Sequence, residues 1–171
     1  LNDYANNVEI NKFGGRFKYS KLNTLIDRVD NGITSNITKV IVRRDLKALL
    51  NQFAQYELCL GNRFYINPAG YNIKSTGFTI NGFSQIAYIT DVPNKTASGT
   101  LDGSLKGTLS VVTKNNQGQQ VVLIKDAGIV DYKKGEVILN TINITSTVSE
   151  NNIIEIQAFP ESNDVVGLKD L

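Results

Sequence analysis

Two acids and two arginines are the residues whose types and spacing could do chemistry: Asp131 with Glu136, and Arg43 with Arg44. Glycoside hydrolysis needs two carboxyls about 5–10 Å apart in a cleft, and Asp131 and Glu136 across one hairpin could meet that spacing. Lys133 and Lys134 lie between them, and acids beside lysines are ordinary hairpin-tip chemistry, so no catalytic role is expected. Arg43-Arg44-Asp45 offers a planar donor fork for a phosphate or carboxylate. Its plainer readings are a surface pair with Asp45 or a nearby carboxylate, or a salt bridge between subunits. With 18 basic and 16 acidic residues the net charge is only +2, and the basic stripe that tracks nucleic acid is missing. The Asp91 to Asp102 loop has Asp and Asn but no ordered calcium-ligand spacing.

Absent residues narrow the field further. The chain has no His and one Cys, which excludes a Ser-His-Asp triad, a His-activated thiol, His metal ligands and an internal disulfide. No cofactor or metal is expected. Cys59 lies in an apolar alternating run and is expected to be a buried, inert thiol. The Asn-x-Thr sequons at Asn36, Asn94 and Asn143 are read as chance. No apolar run approaches the ~20 residues that span a bilayer, so membrane insertion is not expected, and the first residues do not read as a secretory signal. A sequence of 171 residues without Met is expected to be a piece of a longer polypeptide.

The elements that must position these groups read as an α+β chain dominated by strands, mostly antiparallel strands and hairpins, with one amphipathic helix near the N-terminus. Residues Leu1 to Lys12 read as an extended lead-in. Ser20 is the expected N-cap. Leu22, Leu25, Ile26 and Val29 follow at i, i+3, i+4, i+7, a stripe for docking on a sheet, and Asn31-Gly32 ends the helix. Ile37 to Arg43 and Phe53 to Leu60 read as two neighbouring core strands, joined by a wide turn or a short helix over Asp45 to Gln52. Asn81-Gly82 predicts a hairpin, and Asp91 to Gly107 a surface loop. The last third reads as a meander, with turns at Asn115 to Gly118 and Lys133 to Gly135. Ile142 to Thr147 is then expected to pair with Ile153 to Phe159, and Pro160 to end the pairing. The expected division is 1–107, helix plus strands, and 108–171, meander, or else one continuous domain, in a fragment of a longer chain.

FGGRFKYSKLNTLIDRVDNGITSNITKVIVRRDL, FAQYELCLGNRF, GYNIKSTGF and DAGIVDYKKGEVILNTINI, in that order, closely resemble the gene-product-six baseplate wedge proteins of T4-like contractile-tailed phages. The resemblance runs from about Phe13 to Leu171. The Gly128 to Leu139 pattern also resembles a hairpin of the wider baseplate J-type proteins. Members of the wedge family are structural: they pair as homodimers and join into a ring around the tail hub that persists as the baseplate rearranges. The resemblance thus implies a non-enzymatic virion protein of the tail baseplate, assembled in the host cytoplasm and partnered by itself and by other wedge proteins. It assigns no residue roles.

Exposure and chemistry suggest Tyr19 and Arg28 on the helix, Arg43 and Arg44 at the strand end, and Lys133 and Lys134 at the hairpin tip as candidate interface residues. The rival class is a receptor- or glycan-binding tail module, which a β-rich chain also permits.

Overall fold

The computed structural model describes residues 2–6 and 14–167. The fold is β-dominated, 48% strand and 9% helix, with antiparallel pairing throughout and a small barrel. In chain order the elements are α1 (Asn2–Ala5), β1 (Arg16–Phe17), α2 (Tyr19–Asp27), β2 (Val42–Lys47), β3 (Phe53–Cys59), β4 (Lys74–Ser75), β5 (Phe78–Ile80), β6 (Phe83–Pro93), β7 (Lys106–Lys114), β8 (Gln120–Asp131), β9 (Glu136–Thr147), β10 (Ile153–Ala158) and β11 (Val165–Val166). Eight strands run in the order β2-β10-β4-β6-β5-β9-β8-β7, with β3 added on β9. Because β6 also pairs with β7, the strands β6, β5, β9, β8 and β7 close into a ring.

Local turn chemistry sets the hairpins. Asn81-Gly82 joins β5 to β6, Asn115 to Gly118 joins β7 to β8, and Lys133 to Gly135 joins β8 to β9, all as expected. Gly135 has φ +72° and lies against the Asn62 carbonyl, so a side chain there would be strained twice over. Gly128 permits a different closeness: β8 and β9 approach so tightly that a Cβ would collide with the carbonyl oxygen of Ile138.

The pairings of the outer strands depart from expectation. Residues 37–41 are not strand, and β2 begins at Val42 and takes in Asp45 to Lys47. β2 and β3 are not paired: Arg44 lies opposite Ile156 of β10, and Leu58 opposite Val137 of β9. Each strand has a long apolar partner late in the chain, and those partners bury Leu46 and Leu58. β9 is one strand of 12 residues and pairs with β3, β5 and β8, not with β10. Pro160 meets Phe64 in an isolated bridge just past the end of β10. The expected Asp91 to Gly107 loop is shorter than anticipated, since β6 continues to Pro93 and β7 starts at Lys106.

The core is formed by inward residues of the long strands, among them Phe78, Ile89, Leu109, Val130, Leu139, Ile144, Ile154 and Ile156. Within it sits one buried carboxylate. Asp91 accepts from the Tyr132 hydroxyl at 2.6 Å and from the Ile73 backbone N–H at 2.6 Å. Both side chains are buried, and the bonds satisfy groups that would otherwise be costly to hide.

α2 is docked less deeply than its stripe suggests. Leu22 and Ile26 are half-buried, Leu25 and Val29 are exposed, and none of the helix's residues is fully buried. The helix begins at Tyr19, one residue before Ser20, and its N-cap residue Lys18 makes no side-chain cap bond. Instead the Asp164 carboxylate accepts from the Tyr19 backbone N–H at 2.8 Å, a distant residue filling the capping role. β1 and β11 pair beside it, Arg16 opposite Val166 and Phe17 opposite Val165. Asn62 ties this two-stranded unit to the main sheet: its side-chain amide donates to the Val166 carbonyl and accepts from the Val166 N–H, each at 2.9 Å. Of the lead-in, Asn2–Ala5 is a helical turn rather than extended, and the stretch 7–13 lies outside the described residues.

Candidate interaction surface

The six candidate interface residues fall in three places. Tyr19 opens α2 and is half-buried, and its hydroxyl donates to the Thr38 carbonyl at 2.9 Å. It therefore holds the irregular segment 28–41 against the helix. Arg28 closes α2 as its C-cap residue and is exposed. Asn36 reaches back to the Asp27 carboxylate, a second tie between this segment and the helix. The apolar residues of this region nevertheless face outward: Val29 is 66% exposed and Ile37 91%. Leu25 and Ile41 are exposed as well. Helical spacing alone made the stripe look like core. Ile37 and Ile41 carried the same strand signal as buried positions, so the sequence offered no sign of their exposure.

Arg43 and Arg44 occupy alternate faces of β2. Arg43 grips Asp45 through two bonds, Nε to Oδ1 at 2.8 Å and Nη2 to Oδ2 at 3.1 Å. The same guanidinium reaches Glu155 of β10 at 3.0 Å. The fork thus closes within the chain, as in the plainer reading. The hydrogen bond from Arg43 holds the Asp45 carboxyl below its ordinary range, and the same bond holds the Arg43 guanidinium above its own. Arg44 Nε donates to the Cys59 carbonyl at 3.3 Å, spanning from β2 to β3. Between these unpaired strands lies an open groove of about 490 Å³, lined by Arg43, Arg44, Asp45, Glu57, Leu58 and Cys59.

Cys59 is exposed, against expectation. The alternation along β3 was legible, but Cys59 shares the outward face with Phe53, Gln55 and Glu57, while Leu58 and Leu60 point inward. The apolar neighbours that suggested burial belong to the opposite face.

Lys133 and Lys134 are exposed at the tip of the β8–β9 hairpin, remote in sequence from the other two places. Asp131 and Glu136 are directly opposed there. Both are engaged by the turn: the Asp131 carboxylate accepts from the Lys134 N–H at 3.0 Å, and Glu136 pairs with Lys134 Nζ at 3.4 Å. Their arrangement is that of a closed turn, with the hairpin lysine lying between the two acids. Asp91, expected at the start of a surface loop, is the buried partner of Tyr132 described above. The sequence signal that places it inside is the continuing alternation Ala87, Ile89, Asp91, Pro93 along β6.

Among the described residues, no group of three or more His, Cys, Asp or Glu side chains could hold a metal ion. No helix among them is long and apolar enough to cross a membrane. Neither a curated protein nor a solved structure matched the chain. The segment that holds β1, α2 and the exposed Leu25, Val29, Ile37 and Ile41 is also the one with a family match, shorter than the Phe13 to Leu171 span of the sequence resemblance. Residues 1–45 match the family model of the baseplate structural protein gp6, C-terminal domain III, so over that stretch the chain is similar to a structural protein of the phage tail baseplate.

Proposed function

We propose that this chain is a self-associating assembly module that links neighbouring wedges of the baseplate into a ring around the tail hub. The observation that carries the reading is the uncovered apolar surface of α2 and the segment after it. Leu25, Val29, Ile37 and Ile41 are exposed on a stretch that tertiary bonds nonetheless hold in place. Exposed apolar area on an ordered surface favours association with another chain. The same stretch lies within the matched residues. Tyr19 positions the segment, and Arg28 at its rim is available for a polar contact. Arg43 and Arg44 at the β2 edge and Lys133 and Lys134 at the hairpin tip are further contact points, suited to exchange with other wedge proteins as the baseplate rearranges. We infer assembly in the host cytoplasm on the same footing.

Sedimentation velocity over a wide concentration range tests the self-association. The chain is expected to dimerise at micromolar concentrations, and Val29→Asp with Ile37→Asp to return it to monomer with its circular dichroism unchanged. A strictly monomeric wild-type chain at high micromolar concentration would overturn the proposal, as would a dimer indifferent to both substitutions.

A further inference from the structure

A second groove lies on the outer face of the sheet and shares no lining residue with the groove between β2 and β3. It is a cavity of about 330 Å³ across β4, β6 and β7, with Tyr71, Tyr88, Lys74, Lys114, Thr90 and Val112 among its lining residues. The register places most of these on one face: Lys74 lies opposite Thr90, Tyr88 opposite Val112, and Thr90 opposite Ser110. Lys114 continues the same face of β7, two residues beyond Val112.

Tyr71 overhangs this face by a constrained route. It is a bulky residue at φ +67°, in the left-handed region that non-glycine residues seldom occupy. Its N–H bonds to the Asp91 carbonyl at 3.0 Å, while the Asp91 carboxylate holds Ile73 two residues on. The buried Asp91 therefore fixes the loop that presents the Tyr71 ring. At the floor, Thr90 is buried and its Oγ1 has no hydrogen-bond partner among the described residues. A native structure leaves few such groups unsatisfied.

The charges in the groove have one sign. No acidic side chain lines it, and among the described residues neither Lys74 nor Lys114 is paired with a carboxylate. At ~3.3 Å per residue and ~4.8 Å per strand, four residues along and two strands across put the two lysine Cα atoms roughly 16 Å apart. We propose that this groove docks an extended acidic segment of a partner protein, with carboxylates reaching Lys74 and Lys114 and an apolar side chain between the Tyr71 and Tyr88 rings. In an extended peptide, residues i, i+2 and i+4 share a face, and i to i+4 spans about 13 Å, which suits this diagonal once the lysine side chains reach inward. The charges of Lys74 and Lys114 at the two ends of the groove, unpaired among the described residues, favour an acidic segment over a neutral saccharide. The site lies outside the α2 region, and its occupancy does not depend on self-association.

Fluorescence polarisation of a labelled Asp-Thr-Leu-Thr-Asp peptide, titrated with the chain, tests the proposal. Saturable binding is expected. It should weaken about tenfold with either Lys74→Ser or Lys114→Ser, as a lost charge-assisted contact predicts, and be absent for Asn-Thr-Leu-Thr-Asn. The lysines are exposed, so circular dichroism of both variants should match wild type. Three results would overturn the proposal: no saturation at millimolar chain, equal binding of the Asn peptide, or binding indifferent to both lysine substitutions. Preferential binding of oligogalacturonate would overturn it too, assigning the groove to an anionic sugar.

Discussion

The Tyr132 hydroxyl donates to the Asp91 carboxylate at 2.6 Å across 41 residues of sequence, with both side chains out of contact with water. One bond thereby locks the end of β8 to the end of β6 and, through Ile73, to the loop that carries Tyr71. Tyr132→Phe removes the donor and leaves a carboxylate oxygen buried without it. A loss of about 1–3 kcal/mol is expected, read as a lower midpoint in urea unfolding. An unchanged midpoint would mean that Asp91 finds another donor.

The same carboxylate gives stability a pH dependence of definite sign. Burial holds Asp91 above the ordinary carboxylate range, although the bonds from Tyr132 and Ile73 oppose the shift. The folded chain thus binds this proton more tightly than the unfolded chain does. The Asp91 contribution is greatest below about pH 4 and falls as pH rises through the raised value. Asp45 and Asp102, held low by their hydrogen bonds, act in the opposite sense, so the informative quantity is the difference between wild type and Asp91→Asn. That difference should shift in favour of the variant as pH rises from about 4 to 7. A difference flat over that window would refute the assignment.

Gly128 tests the packing of β8 on β9. In Gly128→Ala the methyl group meets the Ile138 carbonyl oxygen and the backbone of Leu139, which cannot yield as a flexible side chain would. Strands must separate locally, and a destabilisation of about 3 kcal/mol is expected from overpacking. Thermal unfolding monitored by circular dichroism would show it. Gly82→Ala, at φ +87° but with open space around the new methyl group, shows the cost of backbone strain without a collision, for comparison.

Cys59 should behave as an accessible thiol. It faces outward from β3, so a chromogenic disulfide reagent is expected to modify one thiol per folded chain on mixing, without denaturant. Modification only after addition of denaturant would show that the face is covered.

Much of the fold was legible where the signal is local. Asn81-Gly82, Asn115 to Gly118 and Lys133 to Gly135 announced their turns because φ preference and turn polarity are written in two to four residues. The pairing of β2 with β10 was not legible, since nothing near Arg44 specifies Ile156 as its neighbour. Cys59 shows a subtler limit. Alternation separates the two faces of a strand but does not say which is covered, and that depends on strands elsewhere. Asp91 reads as loop because it stands two residues before Pro93 in a polar stretch, whereas its burial rests on Tyr132 from a distant hairpin. Of the candidate surface, the α2 stripe was seen but assigned to the core, because amphipathic spacing reports an apolar face without naming what covers it.

The lateness of β9 and β10 has a consequence for how the protein is made. β2 and β3 leave the ribosome well before their partners: Lys47 must wait for Ile153 and Cys59 for Glu136 before either strand is paired. The nascent chain therefore carries Leu46, Leu58 and Phe64 without the strands that will hide them, and it closes long loops before those contacts form. Folding should be slow for a chain of this size and cannot finish before β10 has been made. Any pause before residue 136 would lengthen the exposure of the early strand edges to chaperones or to one another.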